Sequence, residues 1–244
     1  MSITGILEQT RRSESKIYGV VTGIVTNNQD PDKLGRIKVK IPRISAEDES
    51  NWARVISLMV GNEKGIFFLP QVDDEVLVAF EYGDINMPYV IGSLWNGKDK
   101  PPLTNDDGEN NIRLIKSRSG HIIRFDDTDG KEKIEIVDKS EKNMIIIDTK
   151  EKKISIKSEK DIELSAPDGK VTINAKEIEL SAPDGKVTIN AKEVVAKSSA
   201  STKIEASSAM ELKASSSMEL KASSSIDIKA SGTMNIKGAT VNIN

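Results

Sequence analysis

The sequence predicts an all-β chain in two parts, a small closed barrel followed by a rod of stacked short strands. Three observations predict it. Residues 17–96 alternate short apolar runs with turn formers. From Ile154 to Asn244 the chain repeats every eight residues through eleven octads without an insertion, and a fixed period of this kind means one unit stacked on its own copies. Aromatic residues are only 4% of the 244, and all of them precede residue 126. A conventional core therefore belongs to the front and a thin repeat to the back.

Met1 to Lys16 make a polar arm with no apolar run of the kind a signal peptide needs. Strands are expected at Tyr18–Asn27, Arg36–Ile41, Ala53–Val60, Gly65–Leu69, Glu75–Tyr82 and Tyr89–Trp95. Asn28-Gln29-Asp30-Pro31, Pro42, Gly61-Asn62, Asp73-Asp74, Gly83-Asp84 and Pro88 punctuate them. Five or six short strands in such a span suggest a small barrel over residues 17–96, for which the OB-fold is the commonest candidate. Residues 97–111 (GKDKPPLTNDDGENN) are a linker. Residues 112–153 return to strand pairs, with hairpins at Asp126–Gly130 and Asp138–Asn143, and form a β-prism neck before the repeat at 154–244.

Within the octads apolar residues alternate. Met210, Leu212 and Ala214 share one side, Glu211 and Lys213 the other, which is strand periodicity. Small polar runs such as Ser215-Ser216-Ser217, and the turns Pro167-Asp168-Gly169 and Pro183-Asp184-Gly185, mark corners. The block Ile162 to Glu177 recurs unchanged from Ile178 to Glu193. The expected needle core is Ile162, Leu164, Val171, Ile173, Ile178, Leu180, Val187, Ile189, Ile204, Met210, Leu212, Met218, Leu220, Ile226, Ile228, Met234 and Ile236. Ordering one octad costs about 8–16 kcal/mol of backbone entropy. Burying its two large side chains returns about 3–6 kcal/mol, so octads must stack into a β-helix. One chain coiling alone, three octads per turn, would reach only about 18 Å; three interwound chains would make a rod of about 50 Å. The period leaves both forms open.

Composition narrows the functions. There are no cysteines and one histidine, so no thiolate metal site is expected. Net charge is −3, and twelve Lys balance twelve acidic residues from Ile154 onward, a poor phosphate or anionic-lipid binder. Lys38, Lys40 and Arg43 are the best nucleic-acid candidates, but the front half is net acidic and its aromatics are expected inside core strands. The longest aliphatic run, Met144 to Ile147, is too short to span a bilayer.

His121, lacking a partner, reads as a neck surface residue rather than a ligand. Asp126, Asp127, Asp129 and Gly130 read as a hairpin turn, without calcium-loop spacing. Glu47, Asp48 and Glu49 read as a solvated loop, with docking to another protein as the alternative. Met210, Met218 and Met234 read as filler. Asn174, Asn190, Asn235, Asn242 and Asn244 read as corner and ladder residues, with an axial ion as the alternative. No catalytic set can be assembled, so no enzyme and no cofactor are expected.

The stretches GVVTGIVTNNQDPDKLGRIKVKIP, NWARVISLMVGNEKGIFFLPQVDDEVLVAFEYGD, PYVIGSLWNGKDKPP and NNIRLIKSRSGHIIRFDDTDGKEKIEIVD, in this order over roughly 17–150, resemble the VgrG and phage baseplate protein V family of spikes. The resemblance implies an OB barrel leading into an intertwined, homotrimeric β-helix, and it favours the three-chain form. It implies the central spike of a contractile tail or injection system, docked to a hub by its OB end and driven through the target envelope, with transient membrane contact and effector cargo as an option. It further implies synthesis in the cytoplasm and assembly into a virion or injection particle. This chain has no room for an inserted lysozyme domain, and the short arm before its barrel makes the hub a separate protein. It has no His-any-His tip motif, so Val241, Asn242, Ile243 and Asn244 are expected to bind a PAAR-type tip protein. The competing readings are a β-helical polysaccharide-degrading tail enzyme and a receptor-binding fibre. Both lack support in a repeat without aromatic platforms, a cleft or a globular head.

Overall fold

In the front of the chain the period-2 pattern becomes a curled sheet. The computed structural model describes residues 16–243, which hold no α-helix. The barrel strands are β1 (Val21–Asn27), β2 (Lys38–Lys40), β3 (Arg54–Val55), β4 (Val60–Gly61), β5 (Lys64–Gly65), β6 (Glu75–Phe80) and β7 (Pro88–Ser93). Five of them pair in the order β2-β1-β6-β7-β3, antiparallel except for β3 beside β7. Reciprocal backbone bonds between Ile37 and Ala53, at 2.7 and 3.0 Å, join the two ends of that order. Alternation along β6 sends Val76, Val78 and Phe80 inward, where they meet Val25, Ile37, Val39, Ile41, Ala53 and Val90. This is the hydrophobic core of the described residues.

The loop from Asn28 to Gly35 is braced rather than loose. The Asp30 carboxylate accepts from Arg36 Nε and Nη2 at 2.9 and 2.7 Å and from the N–H groups of Asp32, Leu34 and Arg36. The Arg36 side chain, followed by these amides, holds the carboxyl far below the usual carboxylate range.

Two strand expectations are corrected. The run Ala53–Val60 splits after Val55, and Gly65–Leu69 leaves strand pairing after Gly65. In their place stands a short hairpin, β4 with β5. Gly65 has φ +149, and a Cβ there would lie 2.5 Å from the Met59 carbonyl oxygen, so the two arms close more tightly than a side chain allows.

Residues 112–157 form a second antiparallel sheet: β8 (Ile112–Lys116), β9 (Ile122–Asp126), β10 (Lys133–Val137), β11 (Met144–Asp148) and β12 (Lys153–Lys157), each paired with the next. The hairpins fall where the Asp-rich turns predict. Asp138 closes one by accepting from the Ser140 hydroxyl at 2.7 Å and from Asn143 Nδ2 at 3.0 Å; Ser140, then Asn143, pull its carboxyl down to about 2. The last strand is the first half of the first octad. Arg118 in the β8–β9 turn donates to Gln71 Oε1 of the barrel at 3.3 Å.

The described residues divide into two units after Val171. Beyond Lys157 no strand pairing occurs among the described residues. Both Pro-Asp-Gly turns close the same way, Gly169 N–H to Ala166 and Gly185 N–H to Ala182, each at 3.2 Å. Lys203, Lys213 and Lys221 each meet a glutamate two residues away, at 2.6–2.7 Å. Side chains two apart share a side only in extended chain. Beyond Lys157 the octads thus have no ladder partner among the described residues, and the chain is extended where these pairs form.

Candidate assembly surfaces

Three surfaces keep large apolar side chains in solvent. The first is one face of the neck sheet. Register puts Ile115, Ile123, Ile136, Ile145 and Ile156 in one row across five strands, and Phe125, Ile134, Ile147 and Ile154 in the next. All nine are 40–69% exposed. The opposite face carries the polar pairs: Arg124 Nε donates to Glu135 Oε2 at 2.5 Å, and Lys133 pairs with Asp148 at 3.5 Å. Glu135 is 8% exposed. The same face also holds Leu114, Ile122, Val137, Met144 and Ile146, all half-buried, while the two-row apolar face opposite is the more exposed one. A contiguous face of this kind marks an interface.

The second surface is the lobe at 56–69. Ile56, Leu58, Val60, Phe67 and Phe68 project from the β4–β5 hairpin and its flanks, with Leu58 93% exposed. Aromatics expected in the core are therefore outside. Phe67, Phe68, Trp95, Tyr18 and Tyr82 are all exposed, and Phe80 is the buried one. The third surface is the repeat itself. Every expected needle-core residue from Ile162 to Ile236 is exposed in the lone chain. The exposures recur with the period: Ile162, Ile178, Met218 and Ile226 at 52–55%, and Leu164, Leu180, Leu220 and Ile228 at 67–72%. Equivalent positions of these octads thus meet solvent to a similar extent. Val241 and Ile243 are exposed as well; Asn242 shares their extended segment, and Asn244 lies outside the described residues.

The polar candidates have local duties. His121 Nδ1 accepts from the Lys139 N–H at 3.2 Å, which ties the β8–β9 turn to the β10–β11 turn. The Asp126 carboxylate accepts from the Thr128 N–H, and Asp127 pairs with Arg113 across the strand end. Ser45 Oγ donates to Asp48, and Lys38 pairs with Glu49 at 3.2 Å. Among the described residues no group of three His, Cys, Asp or Glu side chains is arranged to hold a metal ion. Missing from the sequence reading were the apolar neck face and the 56–69 lobe. The first was legible in the every-second-residue isoleucines of IIRFD, KIEIV, MIIID and KISIK. The second was legible in the unalternating run Ile66-Phe67-Phe68-Leu69, which cannot all face one interior.

Residues 21–95, the barrel strands, match the type VI secretion system/phage-baseplate injector OB domain. The chain is 31% identical over 106 residues to the type VI secretion system spike protein VgrG2a of Pseudomonas aeruginosa, a match covering 40% of this chain and 12% of that protein. It is 30% identical over 111 residues to the spike protein VgrG3 of Vibrio cholerae, covering 42% and 11%. It is 31% identical over 111 residues to the actin cross-linking toxin VgrG1 of Vibrio cholerae, covering 42% and 10%. The chain spans about a tenth of the length of these curated relatives.

Proposed function

We propose that this chain, a member of the VgrG and phage baseplate V family through its injector OB domain, forms the shaft of a homotrimeric spike. The family supports a spike role in a type VI secretion or phage-type baseplate. One observation carries the finer reading. Beyond Lys157 the octads form no strand pairs among the described residues, and their large apolar residues all stay in solvent. Unpaired backbone beside exposed apolar side chains calls for a partner that supplies both ladder bonds and burial. Two further copies, interwound, supply both to every octad at once. The neck face meets its symmetry mates in the same way, and the needle core (Ile162 through Ile236) then lies between three chains. Such a prism has no lateral sheet edge and no cleft, which suits a load-bearing shaft and not a catalyst.

In this reading the barrel end docks to a separate hub, and Val241–Ile243 seat a PAAR-type tip protein. The particle forms in the cytoplasm and acts at the target envelope, with cargo as an option. The test uses contractile particles whose spike lacks residues 162–243. Sheath contraction should persist while leakage of target cells is lost. Undiminished leakage from such particles overturns the piercing role.

A further inference from the structure

The 56–69 lobe does not face empty solvent at random. It walls a groove of about 710 Å³ that Leu34, Val55 and Ile115 also line, and Ile115 begins the apolar row of the neck. At the other end of that row, Ile136, Ile145 and Ile156 line a second hollow together with Ile162, the first needle-core residue. One apolar track therefore runs from the barrel hairpin, across the neck sheet, to the start of the repeat. The lobe is also preformed. Ser57 Oγ donates to the Ile66 carbonyl at 2.6 Å, Ile66 N–H to that of Met59 at 3.1 Å, and Gly65 allows the tight closure. An apolar lobe held rigid binds without an ordering cost.

We infer that the groove between this lobe and Ile115 is filled by apolar residues of an adjacent copy of the same chain, so that the barrel takes part in trimerisation. The inference rests on the trimeric reading above. Continuity decides the occupant, since whatever covers the neck row from Ile156 to Ile115 arrives at the groove mouth. The rim charges, Glu63 and Lys64, offset each other, which favours an apolar neighbour over an ionic one. The lobe also lies beside the neck, since Ile115 lines its groove, and this favours a sister copy over a hub protein.

The test places photoreactive benzoylphenylalanine at Phe67 in the full chain, and separately at Leu58, so that one misfolded variant does not decide the result. The purified protein is sized, irradiated and run in denaturant. The expected result is a three-chain mass before irradiation and a shift from the one-chain band to two- and three-chain bands after it, with cross-links joining the lobe to the neck of another copy. A three-chain mass with no cross-link between copies at either position overturns the inference and leaves the lobe free for another protein. A one-chain mass overturns the trimeric reading itself.

Discussion

The barrel and the repeat meet the same requirement in opposite ways. The barrel buries nine apolar side chains among its own strands and joins the ends of its sheet through Ile37 and Ala53. The repeat buries none of its large apolar residues, and no octad pairs with another. The first has a core of its own, whereas the second has none among the described residues. The neck sheet stands between them: its backbone is paired within the chain, yet one of its faces is left open. Secondary structure is thus complete in the barrel and the neck, and among the described residues a buried core is present in the barrel alone, beside its exposed 56–69 lobe. The share of large apolar side chains left in solvent rises along the chain.

Five changes probe that gradient. The largest effect is expected from Ile136→Asp, at the centre of the open neck face. In a trimer it brings three carboxylates into one apolar contact, and each uncompensated buried charge costs several kcal/mol. Assembly should be lost while the barrel remains folded; an intact trimer by sedimentation would show that the face is not an interface. Next is Ile37→Ala, in the barrel core. Truncating a fully buried Ile costs about 2–5 kcal/mol, so the thermal midpoint of the barrel should fall while the assembled mass stays the same. Loss of assembly instead would mean that barrel and rod are not separable.

A smaller effect is expected from deleting residues 218–225, one whole octad. All later residues keep their place in the period, so the assembly should form with a rod shorter by about 5 Å, one strand spacing. Deleting residues 218–221 instead moves every later corner to a side and should disrupt the distal rod. Equal tolerance of both deletions, judged by electron microscopy, would contradict the octad as the structural unit. The smallest effect concerns acid. The Asp138 carboxyl is depressed to about 2 by Ser140 and Asn143. Its contribution is therefore present above its unfolded value near 4 and is lost as pH falls through 2. Asp138→Asn should flatten the loss of neck stability between pH 4 and 2 in acid titrations followed by circular dichroism, and an unchanged slope would remove the role.

The barrel was legible because its strands alternate against one interior; Val76, Val78 and Phe80 are placed by sequence alone. The hairpins at Asp126–Gly130 and Asp138–Asn143 were legible because Asp side chains cap turn amides locally. The lobe was not, because Ile66, Phe67 and Phe68 have the composition of a core strand and only their lack of alternation says otherwise. The split of Ala53–Val60 depends on the close approach of Gly65 to Met59, a contact between residues that no local pattern encodes. In the repeat, the period gives the unit and its inward parity but not the number of chains, because the same octad fits a one-chain and a three-chain stack.

Sedimentation of the full chain reads the number of chains in the assembly through mass alone. Each chain weighs 26.7 kDa, and a trimeric spike gives a single species of three times that mass which persists on dilution. A stable, folded species of one chain's mass would contradict it.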